Sequence, residues 1–250
     1  MRLYFLNCGM LDTEMRVLIP EVQKGNRARI PIPAVLLQVD GQSILFDTGM
    51  PDLCVNNPRA LADEDDGDPP EMMPLMTEQE TAVAQLAALG IAPADLRCVV
   101  NSHLHFDHCG GNRHFTSCPI LVSQKELEVA RTSDAYMPVF EGPGVQFETF
   151  EGDYELAPGV QLLETPGHTP GHHSLLVRLP KTGPLLLTVD AVYTGALWEQ
   201  DALGANRDAQ AARQSMNRLR QLSQEIGARV IFGHDPAQWA TLRHAPEYYE

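Results

Sequence analysis

The sequence predicts an α/β fold in which helices cover layered β-sheets. Apolar runs typical of strands alternate along the 250 residues with segments that carry helix start and stop signals. The apolar fraction of 44% is typical of a globular chain, and the length suits one large domain or two small ones. A chain of this size can bury enough surface to fold without disulfides or a structural metal.

Short apolar runs mark the strands. The Asp40-Gly41 pair lies between two such runs, at 35–39 and 43–46, and predicts a hairpin because these residues tolerate the positive φ angles of a two-residue turn. Further strand-like runs lie at residues 99–100, 120–122, 160–163, 174–177, 185–189 and 230–232.

Three helices are bounded by capping signals. Two of them begin with the residue pair of a capping box, in which a Ser or Thr precedes a Glu by three residues. These pairs are Thr77 with Glu80 and Ser123 with Glu126. The third runs from about Asp208 to Ile226, has apolar residues at helical spacing and ends at Gly227. Residues 51–76 and 194–207 are predicted to be loops, and each is a candidate rim of a pocket. The acidic run at 63–68 is expected to be solvated.

The charge balance disfavours several classes of partner. The chain has 18 Lys and Arg against 33 Asp and Glu, a formal net charge of −15. Nucleic acids and anionic membranes repel such a chain, so we expect neither as a partner. No apolar run approaches the ~18 residues of a membrane span, and no signal peptide is recognised. The five cysteines are odd in number and form no C-x-x-C pair, which predicts a cytoplasmic protein without disulfides.

The strongest chemical signal is the segment 102–111, Ser-His-Leu-His-Phe-Asp-His-Cys-Gly-Gly. Side chains two apart in an extended segment point the same way, so His103 and His105 can converge on one metal ion. Asp107 and His108 follow and can turn toward a second ion. Cys109 is expected to pack behind such a site.

Three later strand-like runs each lead into a residue type that binds metals, namely His168, Asp190 and His234. Because α/β sheets place their sites at the carboxyl ends of strands, we expect these side chains to join the cluster. The set then contains five histidines and two aspartates, which is enough for two metal ions that share one carboxylate.

This constellation resembles the metallo-β-lactamase superfamily, and within it the N-acyl homoserine lactone lactonases that silence bacterial quorum signals. The resemblance covers nearly the whole chain and rests on segments 47–51, 102–108, 165–172, 190–194 and 232–235. It implies a single domain over residues 1–250 with the architecture of an αββα sandwich, in which two mixed sheets pack face to face with helices outside.

The resemblance also implies a role for each residue. One metal would be bound by His103, His105 and His168, the second by Asp107, His108 and His234, and Asp190 would bridge them. Asp47 would orient a ligand histidine. The metals are expected to be Zn²⁺, although a set of nitrogen and oxygen ligands also accepts Fe, Mn or Co.

The implied reaction is metal-dependent hydrolysis of a small-molecule lactone. A hydroxide that bridges the metals would attack the carbonyl, with Tyr193 stabilising the oxyanion and Asp107 carrying a proton to the ring oxygen. The product would be an N-acyl homoserine, released by a monomer or a homodimer. The residues predicted to contact the substrate are Met10, Phe106, Tyr193, Leu197 and Trp198.

Other activities share these motifs and stay open as alternatives. A 4-pyridoxolactonase or a γ-butyrolactonase would use the same metal residues and differ in its pocket. A phosphodiesterase of the same superfamily is disfavoured by the charge of −15. β-Lactam hydrolysis is not expected, because one major class of β-lactamase has a cysteine ligand at the position of Asp190. Glyoxalase II activity is not expected either, because those enzymes usually add a C-terminal helical domain, whereas only 16 residues follow His234 here.

Overall fold

Two β-sheets packed face to face form the centre of the computed structural model, which describes residues 1–61 and 70–250. Helices lie on the outside, so the αββα sandwich predicted from the sequence is confirmed. The acidic run predicted as a loop at 63–68 lies outside the described residues. Among the described residues, no helix is long and apolar enough to cross a membrane.

The described part of the chain contains twelve strands and seven α-helices. The strands are β1 (Arg2–Glu14), β2 (Arg27–Val39), β3 (Gln42–Phe46), β4 (Met72–Leu75), β5 (Leu96–Val100), β6 (Ile120–Ser123), β7 (Phe147–Phe150), β8 (Tyr154–Ala157), β9 (Val160–Glu164), β10 (His173–Leu179), β11 (Gly183–Leu187) and β12 (Arg229–Ile231). The helices are α1 (Leu53–Asn56), α2 (Ala82–Ala88), α3 (Phe106–Cys109), α4 (Gln124–Ala130), α5 (Gly195–Glu199), α6 (Ala209–Ile226) and α7 (Pro236–Trp239).

Both sheets are mixed. The first has seven strands in the order β4-β1-β2-β3-β5-β6-β7, and it is antiparallel up to β3 and parallel beyond it. The second has five strands in the order β12-β11-β10-β9-β8, with one parallel pair between β11 and β12. Parallel neighbours end at the same edge of a sheet, which gathers the segments that follow them.

Alternate residues of β1 fill two different cores. Leu3 and Phe5 are buried against the second sheet, whereas Tyr4 and Leu6 are buried under the outer helices. This alternation is the period of two that a strand imposes on its side chains. A strand buried on both faces reads as a continuous apolar run in the sequence, which is why β1 shows no polar alternation.

The predicted hairpin and the predicted third helix are confirmed. Asp40 and Gly41 have φ angles of 49° and 77° and connect β2 to β3. The Asp208 side chain accepts hydrogen bonds from two backbone N–H groups at the start of α6, and Gly227, with φ 64°, ends this helix.

The two predicted capping boxes differ. The one at Thr77 and Glu80 is present, but it starts a short 3-10 helix, and α2 begins after it at Thr81. The one at Ser123 was wrong, because the side chain of Ser123 caps nothing and the Glu126 carboxylate turns inward. Buried backbone N–H groups from two other segments reach this carboxylate instead.

The two predicted loops contain regular structure. Strand β4 lies at the end of the segment 51–76 and pairs with β1, while α5 lies within 194–207.

The site is built at the edge where five strands end. These strands are β3, β5, β9, β11 and β12, and the residues that follow them are Asp47, His103, His168, Asp190 and His234.

Candidate metal centre

Seven metal-capable side chains meet at this edge in two groups of neighbouring ligand atoms. Within each group the ligand atoms lie within 4.8 Å of one another. The first group consists of His103, His105, His168 and Asp190, and the second of Asp107, His108 and His234. The structure therefore brings together all seven residues that the sequence predicted as ligands.

The Asp190 carboxylate lies between the two groups. Its Oδ2 is 3.2 Å from His168 Nε2 and 3.8 Å from His103 Nε2. Its Oδ1 is 3.1 Å from His234 Nε2 and 3.2 Å from His108 Nε2. Burial alone would raise the pKa of Asp190, but the facing imidazoles hold it well below its ordinary value. An ionised carboxylate with one oxygen toward each group is the geometry that a shared ligand requires.

The buried polar atoms at this point fit metal ions. His108 Nε2 and Asp190 Oδ1 are both buried without a hydrogen-bond partner among the described residues, a state that costs about 1–3 kcal/mol per group unless a ligand satisfies it. His105 Nδ1 lies 3.1 Å from His103 Nε2 and 2.8 Å from His168 Nε2. These separations are close to the ~3.3 Å expected for nitrogens bound to one tetrahedral zinc.

A buried carboxylate at the end of β3 orients two of the histidines. Asp47 Oδ2 is 2.8 Å from His108 Nδ1 and accepts a 2.8 Å hydrogen bond from Ser102 Oγ, while its Oδ1 accepts one of 2.7 Å from Ser102 N. Ser102 Oγ is in turn 3.0 Å from His103 Nδ1. Nδ1 of His103 donates to Ser102 and Nδ1 of His108 donates to Asp47, so the Nε2 lone pair of each histidine faces the site. We refer to Asp47, Ser102, His103 and His108 as the Asp47 network.

Two further candidate ligand histidines are oriented by oxygen atoms. His234 Nδ1 lies 2.9 Å from the carbonyl oxygen of Pro31. His168 Nδ1 lies 2.7 Å from the hydroxyl of Tyr193, which donates a 2.7 Å hydrogen bond to the carbonyl oxygen of Ala205. Burial raises the pKa of Tyr193 well above its ordinary value, so this residue keeps its phenol proton.

The two groups differ in their proton affinity in the metal-free protein. In the first group, burial lowers the pKa of all three histidines, His103, His105 and His168. In the second group burial also acts to lower the pKa, but the nearby carboxylates outweigh it and raise the pKa of His108 and His234. We therefore expect a proton to compete with a metal ion more strongly at the second group.

A cavity of about 250 Å³ opens beside the ligands and has a largely apolar wall. Its floor includes Asp107 and Tyr193 as well as ligand histidines. The apolar wall is formed by Leu11, Val17, Leu18, Ile30, Met72, Phe106, Ala135, Met137 and Ala205. None of the described residues that line it is Lys or Arg.

Two of the five predicted substrate contacts, Phe106 and Tyr193, line this cavity, and the other three lie elsewhere. Met10 is on the opposite face of β1 from the wall residue Leu11, because neighbouring side chains of a strand alternate. Leu197 is buried in the core under the helices. The ring of Trp198 packs against Phe232 and beneath a guanidinium group.

Comparison with known proteins identifies the family. A family model described as the metallo-β-lactamase superfamily matches residues 28–234. The chain belongs to the metallo-β-lactamase superfamily.

Its similarity to lactonases of this superfamily extends over the full length. The chain is 39% identical over 248 residues to an N-acyl homoserine lactonase of a Bacillus species, covering 99% of this chain and 98% of the relative. It is 37% identical to the N-acyl homoserine lactonase AttM of Azorhizobium caulinodans, covering 100% and 98%.

A solved structure gives the same result. It is that of an N-acyl homoserine lactone hydrolase with the product N-hexanoyl-L-homoserine bound at the catalytic metal center. The two chains superpose with a TM-score of 0.93 at 38% identity, covering 99% of this chain and 98% of that one.

The sequence predicts for Glu126 only a place in a capping box, whereas the residue lies behind the first candidate ligand group of this metallo-β-lactamase fold. The side chain is fully buried; its Oε1 accepts a 3.1 Å hydrogen bond from Leu104 N and its Oε2 one of 2.9 Å from Gly171 N. Gly171 allows this approach, because a Cβ there would lie 2.4 Å from the backbone nitrogen of Glu126. The carboxylate thus ties the loop of His103 and His105 to the loop that follows His168. The spacing in the sequence was read as a helix cap, so no local signal pointed to this contact.

His172 and Cys109 also lie behind the candidate metal ligands. His172 Nε2 accepts a 3.1 Å hydrogen bond from Asp190 N, and burial lowers the pKa of this histidine to about 3. The Cys109 thiol is fully buried, as expected, and donates to the carbonyl oxygen of His105 at 3.0 Å. A histidine four residues after a ligand histidine was a sequence signal for the first of these contacts, although the sequence alone gave it no role.

Proposed function

We propose that this chain is a metal-dependent lactonase that opens the ring of N-acyl homoserine lactones to give N-acyl homoserines. The observation that carries the proposal is the cavity, whose floor includes residues of both ligand groups and whose wall is largely apolar. Such a cavity accommodates an ester-like ring beside the metals and an acyl chain along the wall. Relatives that bear the name N-acyl homoserine lactonase support the same substrate class.

The two ligand groups would hold two divalent cations, and we propose Zn²⁺ for both. The set of five imidazoles and two carboxylates suits zinc, and it also accepts Fe, Mn or Co. When bound, such cations lower the pKa of a water molecule to near neutrality and polarise a carbonyl group.

The residues of the chain supply position and proton transfer. Asp107 belongs to the second ligand group and also lines the cavity. Its carboxylate can therefore carry a proton to the oxygen that leaves the opened ring. Tyr193 keeps its phenol proton and borders the same cavity, so a turn of its hydroxyl away from Ala205 directs a hydrogen bond at the substrate carbonyl. The aliphatic wall excludes water around the bound acyl chain.

The charge of the molecule suits this substrate. An N-acyl homoserine lactone is neutral and its product is a carboxylate, which a protein of net charge −15 repels after hydrolysis. The cavity has a largely apolar wall without Lys or Arg in its described part, which disfavours a small aromatic lactone of the pyridoxolactone type, because such a substrate needs a compact polar pocket.

Compartment and assembly are also part of the proposal. All five cysteines are unpaired and buried, which supports a reducing cytoplasm. No nucleic acid or membrane partner is proposed, because the net charge opposes both. We propose a monomer or a homodimer, which light scattering distinguishes.

A substrate screen tests the proposed activity. N-acyl homoserine lactones of graded chain length, 4-pyridoxolactone, γ-butyrolactone and a generic phosphodiester are offered to the metal-loaded protein, and the acid released is followed by pH indicator and mass spectrometry. We expect hydrolysis of the acyl homoserine lactones, its loss on exhaustive chelation and its return with metal. Hydrolysis of the phosphodiester alone, or full activity after chelation, would contradict the proposal.

A further inference from the structure

His172 is a buried histidine that lies behind the site and belongs to neither ligand group. It follows the ligand His168 by four residues and packs beside His103, with their ring centroids 5.2 Å apart. Both of its ring nitrogens are engaged away from the metal positions. Its role must therefore come from the groups that these two nitrogens contact.

The hydrogen bonds of His172 have one consistent direction. Its Nε2 accepts from the Asp190 N–H at 3.1 Å, so the ring proton must be on Nδ1, which lies 2.9 Å from Thr165 Oγ1. Thr165 Oγ1 lies 3.0 Å from Ser174 Oγ, and Ser174 Oγ donates at 2.9 Å to the carbonyl oxygen of Thr188. This His172 network (His172, Thr165, Ser174 and Thr188) is fully buried and carries no charge.

The peptide that His172 holds lies in a strained turn. Val189, directly before Asp190, has a φ of 50°, a conformation that β-branched residues rarely adopt. The turn is confined from the other side as well, since a Cβ on Gly233 would meet the Val189 carbonyl oxygen at 2.5 Å. A hydrogen bond to the Asp190 N–H is therefore placed where it prevents the turn from relaxing.

We propose that His172 is a positioning residue for the shared carboxylate: its Nε2 anchors the Asp190 peptide and so keeps one carboxylate oxygen on each ligand group. Asp190 Oδ1 and Oδ2 lie 3.1–3.2 Å from histidines of opposite groups. A rotation of the peptide would withdraw both oxygens together. Loss of the anchor should therefore weaken both metal positions in parallel, which a defect in one ligand histidine would not do.

Two substitutions distinguish the hydrogen bond of Nε2 from that of Nδ1. In His172→Gln the side-chain amide oxygen can reach the position of Nε2 and accept from Asp190 N–H. In His172→Asn the amide nitrogen can replace Nδ1 and donate to Thr165, but nothing reaches Asp190. His173 provides the matched control, because it is the adjacent buried histidine and its nitrogens lie against the carbonyl oxygens of Gly171 and Gly152.

The test measures zinc binding by competition with a chromophoric chelator, together with the melting temperature of the metal-free protein. We expect His172→Asn to lower the affinity of both zinc positions by about 10–100-fold, and His172→Gln to stay within about threefold of the native chain. His173→Gln should leave both affinities unchanged. These readouts need no lactonase activity; the inference rests on the proposed function only in that kcat for the lactone should fall with metal affinity.

Three results would overturn the inference. These are native zinc affinity in a folded His172→Asn protein, equal weakening by the Gln and Asn variants, and weakening of one zinc position alone. If the Asn variant does not fold, ¹⁵N spectra of the native metal-free protein decide: a proton on Nδ1 of His172 is expected, and a proton on Nε2 contradicts the inference. Intact zinc binding without lactone hydrolysis would instead count against the proposed function.

Discussion

The two sheets support the candidate metal centre with networks of opposite character. On the seven-stranded sheet, the ionisable carboxylate of the Asp47 network accepts a hydrogen bond directly from His108 Nδ1. It is linked to His103 through the hydroxyl of Ser102. On the five-stranded sheet, His172 Nε2 of the neutral His172 network accepts a hydrogen bond from the backbone N–H of Asp190. One network orients imidazole rings by charge, and the other holds the shared carboxylate in place through its peptide.

The two networks share a backbone feature that explains why they are needed. Asp47 itself has a φ of 60°, and Val189 before Asp190 has a φ of 50°. Residues other than glycine pay about 1–3 kcal/mol for such conformations, which persist only where the surroundings enforce them. The hydrogen bonds of each network supply that enforcement, so each strained turn delivers a side chain to the centre.

The largest effect is expected from breaking the charged network. Asp47→Ala removes the acceptor of His108 Nδ1 and of Ser102, and leaves both histidines free to turn. We expect metal affinity and kcat/KM to fall by about 100-fold. Chelator competition measures the first and lactone hydrolysis the second. Asp47→Asn is the matched variant of equal size; if it behaves like the native chain, the charge of Asp47 is irrelevant and the contrast between the networks is lost.

A pH titration should separate the two ligand groups. Burial lowers the pKa of the first-group histidines, so protons compete with metal there only below their ordinary pKa. The raised pKa values of His108 and His234 mean that protons compete at higher pH at the second group. As the pH falls from about 8 to about 5, we expect metal to leave the second group first.

Metal analysis after dialysis at each pH, repeated with His234→Ala, measures this order. In the variant the early loss should disappear, because the second group is already incomplete. Simultaneous loss of both ions from the native chain, or no change in the variant, would contradict the assignment of proton affinities to the two groups.

A smaller effect is expected at Glu126, which belongs to neither network. Glu126→Gln replaces one carboxylate oxygen by an NH₂ group, so one of the N–H groups of Leu104 and Gly171 loses its acceptor. We expect about a tenfold loss of zinc affinity, confined to the first group, with the second group retained. Glu155→Gln, an exposed position on β8, is the control. Equal weakening of both groups would show that the carboxylate acts on the whole centre.

The fold could be predicted from the sequence to the extent that its signals are local. The Asp40-Gly41 hairpin and the helix from Asp208 to Gly227 depend on φ preferences and caps within a few residues, and both are confirmed. The spacing of Ser123 and Glu126 looked equally local, yet Glu126 bonds Gly171, which lies 45 residues away. A contact between distant segments competes with a local cap, and the sequence does not show which one forms.

The same distinction applies to the site. The ligand residues stand out because metal chemistry restricts them to a few residue types at strand ends, and the structure gathers all seven. The role of His172 depends on a turn 18 residues further along, and the cavity wall combines residues of β1, β2 and α3 with later segments. Met10, Leu197 and Trp198 were predicted as substrate contacts from their apolar character, which does not distinguish a wall residue from a core residue.

The central claim is that Asp190 is shared between two metal ions, and a zinc titration of the metal-free protein tests it most directly. Followed by calorimetry, the native chain should bind two equivalents per chain. In Asp190→Asn, which keeps the size of the side chain but not its charge, both binding events should weaken together. A native stoichiometry of one zinc per chain, or a variant in which only one event weakens, would contradict the account.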